Sequence, residues 1–197
     1  MSWVNELRGG QALSCLLRSS GIRTVLDVGS GVGAHAEVMR NHGLKVTTIS
    51  MIEPADHVGD FLEFNGKPES FDAIWACHVL EHQPNPGLFL AKCHEQLRPG
   101  GLLAVTVPPA KHNIVGGHVT LWNAGLLLYN LILAGFDCSN AKVGSYGYNI
   151  SVIVEKSDIE LPKLMCDSGD VIRLAHFFPV YVNEGFNGEL PDIKWNT

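Results

Sequence analysis

Apolar and polar positions divide the chain into short segments of two alternating kinds. Residues 24–28 (TVLDV) are β-branched and apolar on both sides of the chain, the pattern of a strand covered on both faces. Residues 44–49, 71–76 and 102–107 read as further strands. Between them, residues 34–41, 86–97 and 120–134 carry apolar side chains at helical spacing; Gly43 closes the first and Gly135 the last. Residues 3–20 predict another helix through Val4, Leu7, Leu13, Leu16 and Leu17, weakened in its middle by Gly9-Gly10. Residues 141–145 and 149–155 bracket a Gly/Tyr turn and predict an antiparallel pair. Strands alternating with helices predict an α/β fold, a doubly wound sheet that is mostly parallel and ends on an antiparallel C-terminal edge hairpin.

With 197 residues, 46% of them hydrophobic and 17% charged, the chain can bury one real core. Residues 1–156 hold the alternating pattern. Residues 157–197 differ, with seven acids against three bases and five large aromatics: Phe177, Phe178, Tyr181, Phe186 and Trp195. That composition predicts an extension docked on the domain or on a partner.

The net charge of −6 argues against a nucleic-acid partner, which usually meets a basic stripe. The longest apolar stretch, 125–136, is interrupted by Asn130 and falls short of the about twenty residues of a membrane span. No early basic cluster precedes the short run 12–17, so no signal peptide is expected. The five cysteines are scattered without a C-x-x-C, which predicts reduced, buried thiols in a cytoplasmic protein, with neither disulfides nor a metal site.

The first strand runs into Asp27-Val28-Gly29-Ser30-Gly31-Val32-Gly33-Ala34. Glycines there permit a tight turn, and the following helix presents free N–H groups and a positive dipole end, a site for the polar end of a nucleotide. Gly29-x-Gly31-x-x-Ala34 also fits a dinucleotide fingerprint, but that chemistry wants an acid at the tip of the second strand, where Ser50 stands. Farther on come Gly59-Asp60-Phe61, then "FDAIWACHVLEH" (71–82) and "LRPGGLLAVTVPP" (97–109). In this order and spacing, residues 20–156 resemble the class I S-adenosylmethionine-dependent methyltransferases, most closely the type 11 branch, whose sheet is Rossmann-like.

The resemblance implies S-adenosylmethionine as cofactor and S-adenosylhomocysteine as product. It implies that Asp27, Gly29, Ser30 and Gly31 line the amino-acid end and that Asp60 and Phe61 receive the adenine. Cys77 and His78 would face the sulfonium region. Ser50, replacing the acid of the pattern, leaves ribose binding to itself, Met51, Ile52 or Glu53. Only residues 51–58 separate Ser50 from Gly59, and a crossover with a helix needs a dozen or more. The second crossover helix should be shortened or missing.

Methyl transfer mainly requires positioning, with a base for a hydroxyl or protonated amine. His112 and His118, in the loop after the strand 102–107, are the candidate bases; surface or packing roles are the alternative. Trp122 and Asn123 could shape an acceptor pocket or simply start a helix. Tyr146 and Tyr148 read as rim or hairpin packing. His78 and His82 flank Glu81, a spacing open to a metal but also to a junction histidine satisfied by the carboxylate. The expected function is methyl transfer to a small-molecule or glycan-precursor acceptor. A non-catalytic cofactor-binding module is the alternative, and an NAD-dependent oxidoreductase rests only on the glycine pattern.

Overall fold

The computed structural model describes residues 3–195. Its core is a seven-stranded sheet: β1 (Thr24–Val28), β2 (Lys45–Ser50), β3 (His57–Val58), β4 (Phe71–Cys77), β5 (Leu97–Val107), β6 (Lys142–Tyr146) and β7 (Asn149–Glu155). The order is β3-β2-β1-β4-β5-β7-β6, with β7 antiparallel to both neighbours and every other pairing parallel.

Strand alternation sends successive side chains to two cores. Leu26, Val28, Ile74, Leu103 and Val105 pack with α3 (Pro86–Gln96) and α4 (Ala124–Leu133) on one face. Val25, Ala73, Trp75, Ala104 and Ile153 pack with α1 (Gly10–Leu17) and α2 (Ala34–Asn41) on the other. This two-sided burial is why the strands read as unbroken apolar runs.

Several boundaries differ from the sequence reading. The helix expected over 3–20 is split: Trp3–Glu6 forms a 3-10 turn and α1 begins at Gly10, because Gly9 takes a left-handed conformation. The last helix starts at Ala124 rather than 120, capped by the Asn123 side chain, which accepts from the Leu126 N–H. α3 runs directly into β5, which begins at Leu97 instead of 102. The 126–133 stripe is only partly core, since Leu126 and Leu133 are exposed. Cys166 is also exposed, against the expectation of buried thiols; Cys15, Cys77, Cys93 and Cys138 are buried and all five are free.

No helix links β2 to β3. Six residues suffice because Asp56 clasps Thr48: its carboxylate accepts from the Thr48 N–H (2.8 Å) and hydroxyl (2.9 Å), and its own N–H donates to Thr48 Oγ1 (2.8 Å). The Thr48 N–H above all holds the Asp56 carboxyl below its ordinary range, against a smaller opposing effect of burial. β3 then pairs with only Ile49 and Ser50 at the tip of β2. Between β3 and β4 the sole helical element is the 3-10 turn Phe61–Glu63.

The C-terminal segment wraps the β6 edge. Phe177, Phe178 and Val182 are buried in the α3/α4 core, whereas Tyr181 is exposed. Ile193 forms an antiparallel bridge with Val143. Trp195 then reaches the opposite core, where its ring stacks on Tyr146 and its Nε1–H donates to Gln11 (3.0 Å). Among the described residues, no helix is long and apolar enough to cross a membrane.

Candidate functional site

The carboxyl ends of β1, β2 and β4 open on one side of the sheet, where ligands of such folds collect. At the end of β1, Gly29, Gly31 and Gly33 all adopt positive φ. Two of them serve different needs. A Cβ on Gly29 would strike Val79, so this glycine permits close packing of the loop on the β4 exit. A Cβ on Gly31 would meet nothing within 4 Å; its backbone borders open space.

Asp27, on β1, is almost wholly buried, and its Oδ2 has no hydrogen-bond partner. Ser30 Oγ, in the loop, is likewise buried and unpartnered. Burial raises the Asp27 carboxyl from 3.8 to about 7, only partly offset by Arg40. An orphaned carboxylate oxygen and an orphaned hydroxyl beside a glycine loop form a receptor for a polar, cationic group.

Two adjoining cavities continue from this loop. One, of about 270 Å³, is bounded by Gly29, Ser50, Met51, Asp60, Phe61 and His82. The other, of about 360 Å³, also borders Asp60 and adds His57 and Phe64. Asp60 accepts from the Leu62 N–H (2.9 Å), capping the 3-10 turn, and its second oxygen remains available. The Phe61 ring is buried edge-on against Phe89. Ser50 Oγ accepts from the Ile52 N–H (3.3 Å), while the Met51 side chain stands in solvent.

The β1-side cavity thus brings Gly29, Ser50, Met51, Asp60 and Phe61 to one lining, whereas Asp27, Ser30 and Gly31 line neither cavity. Cys77 and His78 are held differently. The Cys77 thiol donates toward the Arg8 carbonyl (3.5 Å), beneath the segment leading into α1, and burial pushes its pKa up. His78 has a positive φ, and its ring is fixed at both nitrogens: Nδ1 faces Glu81 Oε1 and Nε2 faces Asn149 Oδ1, each at 3.0 Å. Asn149 Oδ1 also accepts from the Gly9 N–H (3.1 Å), and its amide donates to the Tyr146 carbonyl (3.1 Å), so its oxygen must face His78. Nε2 of His78 thus carries a hydrogen. The carboxylate reading of the His78-Glu81 spacing is the observed one. Asn149 escaped the sequence reading because it sits in a hairpin 71 residues away, and only the sheet register brings it there.

A third cavity, of about 240 Å³, lies under the loop after β5, bounded by Pro109, Lys111, His112, His118, Leu121 and Tyr148. Lys111 Nζ sits 4.0 Å from the centre of the Tyr148 ring. Both candidate bases border this cavity. The loop is closed at its base by a Pro109–Trp122 bridge and pinned by the Val119 and Thr120 N–H groups, which donate to the Glu81 carbonyl (2.9 and 3.2 Å). Trp122 is buried and Asn123 caps α4, so both serve the helix start. Tyr146 is hairpin packing: its hydroxyl accepts from the Ala12 N–H (3.1 Å) and pairs with Ser151 (2.9 Å).

His82 also belongs here, although sequence reasoning gave it no catalytic part. It borders the β1-side cavity, and its ring meets that of His118 edge-on at 5.1 Å. The signal that could have found it is the "LEH" ending, read together with a loop long enough to fold back.

Comparison with known proteins agrees with this architecture. The family described as "Methyltransferase domain" (type 11) matches residues 26–105. A ubiquinone biosynthesis O-methyltransferase of Pseudomonas paraeruginosa is 32% identical over 118 residues, 51% of this chain and 47% of that protein. The chain thus spans about half the length of the curated relatives it matches. In fold it is similar to the Burkholderia thailandensis 1,6-didemethyltoxoflavin-N1-methyltransferase, solved with S-adenosylhomocysteine (TM-score 0.67, 21% identity, 80% of this chain and 81% of that one). It is also similar to an S-adenosylmethionine-dependent methyltransferase from Archaeoglobus fulgidus (TM-score 0.63, 17% identity, 77% and 94%). The glycine loop, the sheet order and the match over β1 to β5 thus make residues 26–105 similar to the type 11 methyltransferase domain, on a sheet with the fold of solved S-adenosylmethionine-dependent methyltransferases.

Proposed function

We propose that this protein transfers a methyl group from S-adenosylmethionine to a small-molecule acceptor admitted beneath the loop after β5. The observation that carries this reading is the pair of buried, unpartnered atoms, Asp27 Oδ2 and Ser30 Oγ, at the rim of a glycine loop whose Gly31 borders open space. They fit the ammonium and carboxylate of an amino-acid group. Asp60, which borders both cavities, fits an adenine amino group, and the buried Phe61 forms the wall beside it.

When bound, the cofactor supplies a methyl group already activated by a sulfonium charge. The chain's share is then positional: it holds one reactant at the ends of β1, β2 and β3 and the other between β4, β5 and their loops. For a hydroxyl acceptor, His112 or His118 takes the proton as the new bond forms. The position usually held by a ribose-binding acid is Ser50, a single hydroxyl, which favours looser ribose binding than a carboxylate would give.

Isothermal titration with S-adenosylhomocysteine and, separately, with NAD tests the cofactor. Methyl transfer from labelled S-adenosylmethionine is then screened over phenols, amines and glycan precursors. Saturable S-adenosylhomocysteine binding with turnover of one acceptor class is expected; binding of NAD instead would overturn the reading. Tight S-adenosylhomocysteine binding without turnover on any acceptor would favour the second reading, prompted by Ser50, of a cofactor-binding module without catalysis.

A further inference from the structure

We propose that Glu81, His82 and His118 form a binding site for one divalent transition-metal ion, Zn²⁺ by the character of the donor set. Nothing in the sequence pattern requires this, because His118 lies 36 positions from His82 and reaches it only through the return of the loop after β5. The 3-10 turn Leu80–His82 directs Glu81 inward and leaves His82 partly exposed. The loop then lands on the Glu81 carbonyl through the Val119 and Thr120 N–H groups, which delivers His118 beside His82. One ligand atom from each of the three side chains lies within 4.8 Å of the other two.

Two independent observations point to a cation there. Glu81 is 0% exposed; its Oε1 faces His78 Nδ1, and its Oε2 has no partner at all. A buried carboxylate oxygen without a donor is costly to the fold and is the atom left for a positive ion. The second observation is the tautomer of His82. Its Nδ1 lies 2.7 Å from the Gly117 carbonyl oxygen, which can only accept, so Nδ1 carries the hydrogen. In the neutral ring Nε2 then keeps its lone pair, and it sits 3.9 Å from Glu81 Oε1. A backbone carbonyl orienting an imidazole in this way is the usual outer support of a metal-ligating histidine. His78 Nδ1 lies 3.0 Å from Oε1; since Nε2 already donates to Asn149, this contact takes one further hydrogen, on His78 or on Glu81, and it holds the carboxyl group with Oε2 left over.

Two imidazole nitrogens and one carboxylate oxygen suit Zn²⁺, and three protein ligands leave a further position for water or for an oxygen of an acceptor. The cluster stands where His82 borders the β1-side cavity and His118 borders the loop cavity. An ion there would lie between the two halves of the site. With an ion bound, His118 is a ligand and the proton of a hydroxyl acceptor falls to His112; metal binding is otherwise independent of the methyl-transfer reading.

The test is a titration of the full chain, stripped with chelator, with Zn²⁺ by calorimetry and with Co²⁺ by visible absorption. One Zn²⁺ per chain is expected, with a Co²⁺ spectrum of a four-coordinate N/O site. His118→Ala, on the loop surface, and His82→Ala should each weaken Zn²⁺ binding at least about tenfold. Glu81→Gln should do the same and alter the Co²⁺ spectrum, with its fold checked by circular dichroism. Absence of saturable binding, or equal affinity in wild type and both histidine variants, would overturn the proposal. Titration of the same preparations with S-adenosylhomocysteine reports separately on the cofactor reading, so failure of one is distinguishable from failure of the other.

Discussion

If Asp27 receives the ammonium group of the cofactor, cofactor affinity must follow the ionisation of this carboxyl. Burial places it at about 7 in the free protein. Above that pH the carboxylate is already formed and can pair with the ligand. Below it, binding must first expel a proton, so affinity falls about tenfold per pH unit. Between pH 8 and pH 6 the dissociation constant should rise about tenfold, or roughly 1.4 kcal/mol. The same shift has a signature in the stability of the free protein. A carboxyl raised from 3.8 to about 7 favours its neutral form in the fold, so stability is highest at low pH and is lost as pH rises from about 4 to about 7. By pH 8 the loss amounts to at most about 4 kcal/mol. Asp27→Asn keeps the shape and removes the charge. It should be more stable than wild type at pH 8, show no such pH dependence, and bind S-adenosylhomocysteine poorly at every pH. Calorimetric titrations at pH 6, 7 and 8, each in two buffers of different ionisation enthalpy, measure both the affinity and the proton released. Affinity that does not change with pH, with no proton released at pH 6, would refute the assignment of Asp27 to the ammonium group.

The two glycines of the loop should separate binding from folding. Gly31→Val meets no neighbour but puts a β-branched residue at φ +54°, so it should lose cofactor affinity with some loss of melting temperature, whereas Gly29→Ala adds a collision with Val79 to its positive φ and should lower the melting temperature without reaching the open space; wild-type affinity in a folded Gly31→Val would contradict the loop assignment. Asp60→Ala should weaken S-adenosylhomocysteine binding by about 1–3 kcal/mol, and Asp60→Asn, which retains the cap on Leu62, tells the ligand contact apart from the turn. Trp195→Ala removes a buried ring stacked on Tyr146 and bonded to Gln11, and should destabilise the chain by about 3 kcal/mol in chemical denaturation. An unchanged denaturation midpoint would show that the C-terminal wrap adds nothing to stability.

Much of the fold was legible because its signals are local. Strands buried on both faces must be apolar on both sides, so β1, β4 and β5 stood out. Glycines required by a tight strand-to-helix turn marked the loop after β1. Counting the eight residues between Ser50 and Gly59 was enough to predict a crossover helix shortened or missing there. It could not show what replaces the helix: the Thr48–Asp56 clasp depends on a carboxylate meeting a backbone N–H eight positions away.

What the sequence by itself determined was therefore the layered α/β sheet and the glycine loop at its carboxyl edge, because each follows from periodicity, turn chemistry or spacing within one segment. Tertiary structure alone decided which way the remaining groups face. Only the register of the last hairpin brings Asn149 to His78 and so fixes that ring against Glu81. Only the return of the loop after β5 sets His118 against His82, and only complete burial leaves Asp27 Oδ2 and Glu81 Oε2 without partners. These are properties of distance between remote segments and of exclusion from water, and neither is written in the order of residues along a chain.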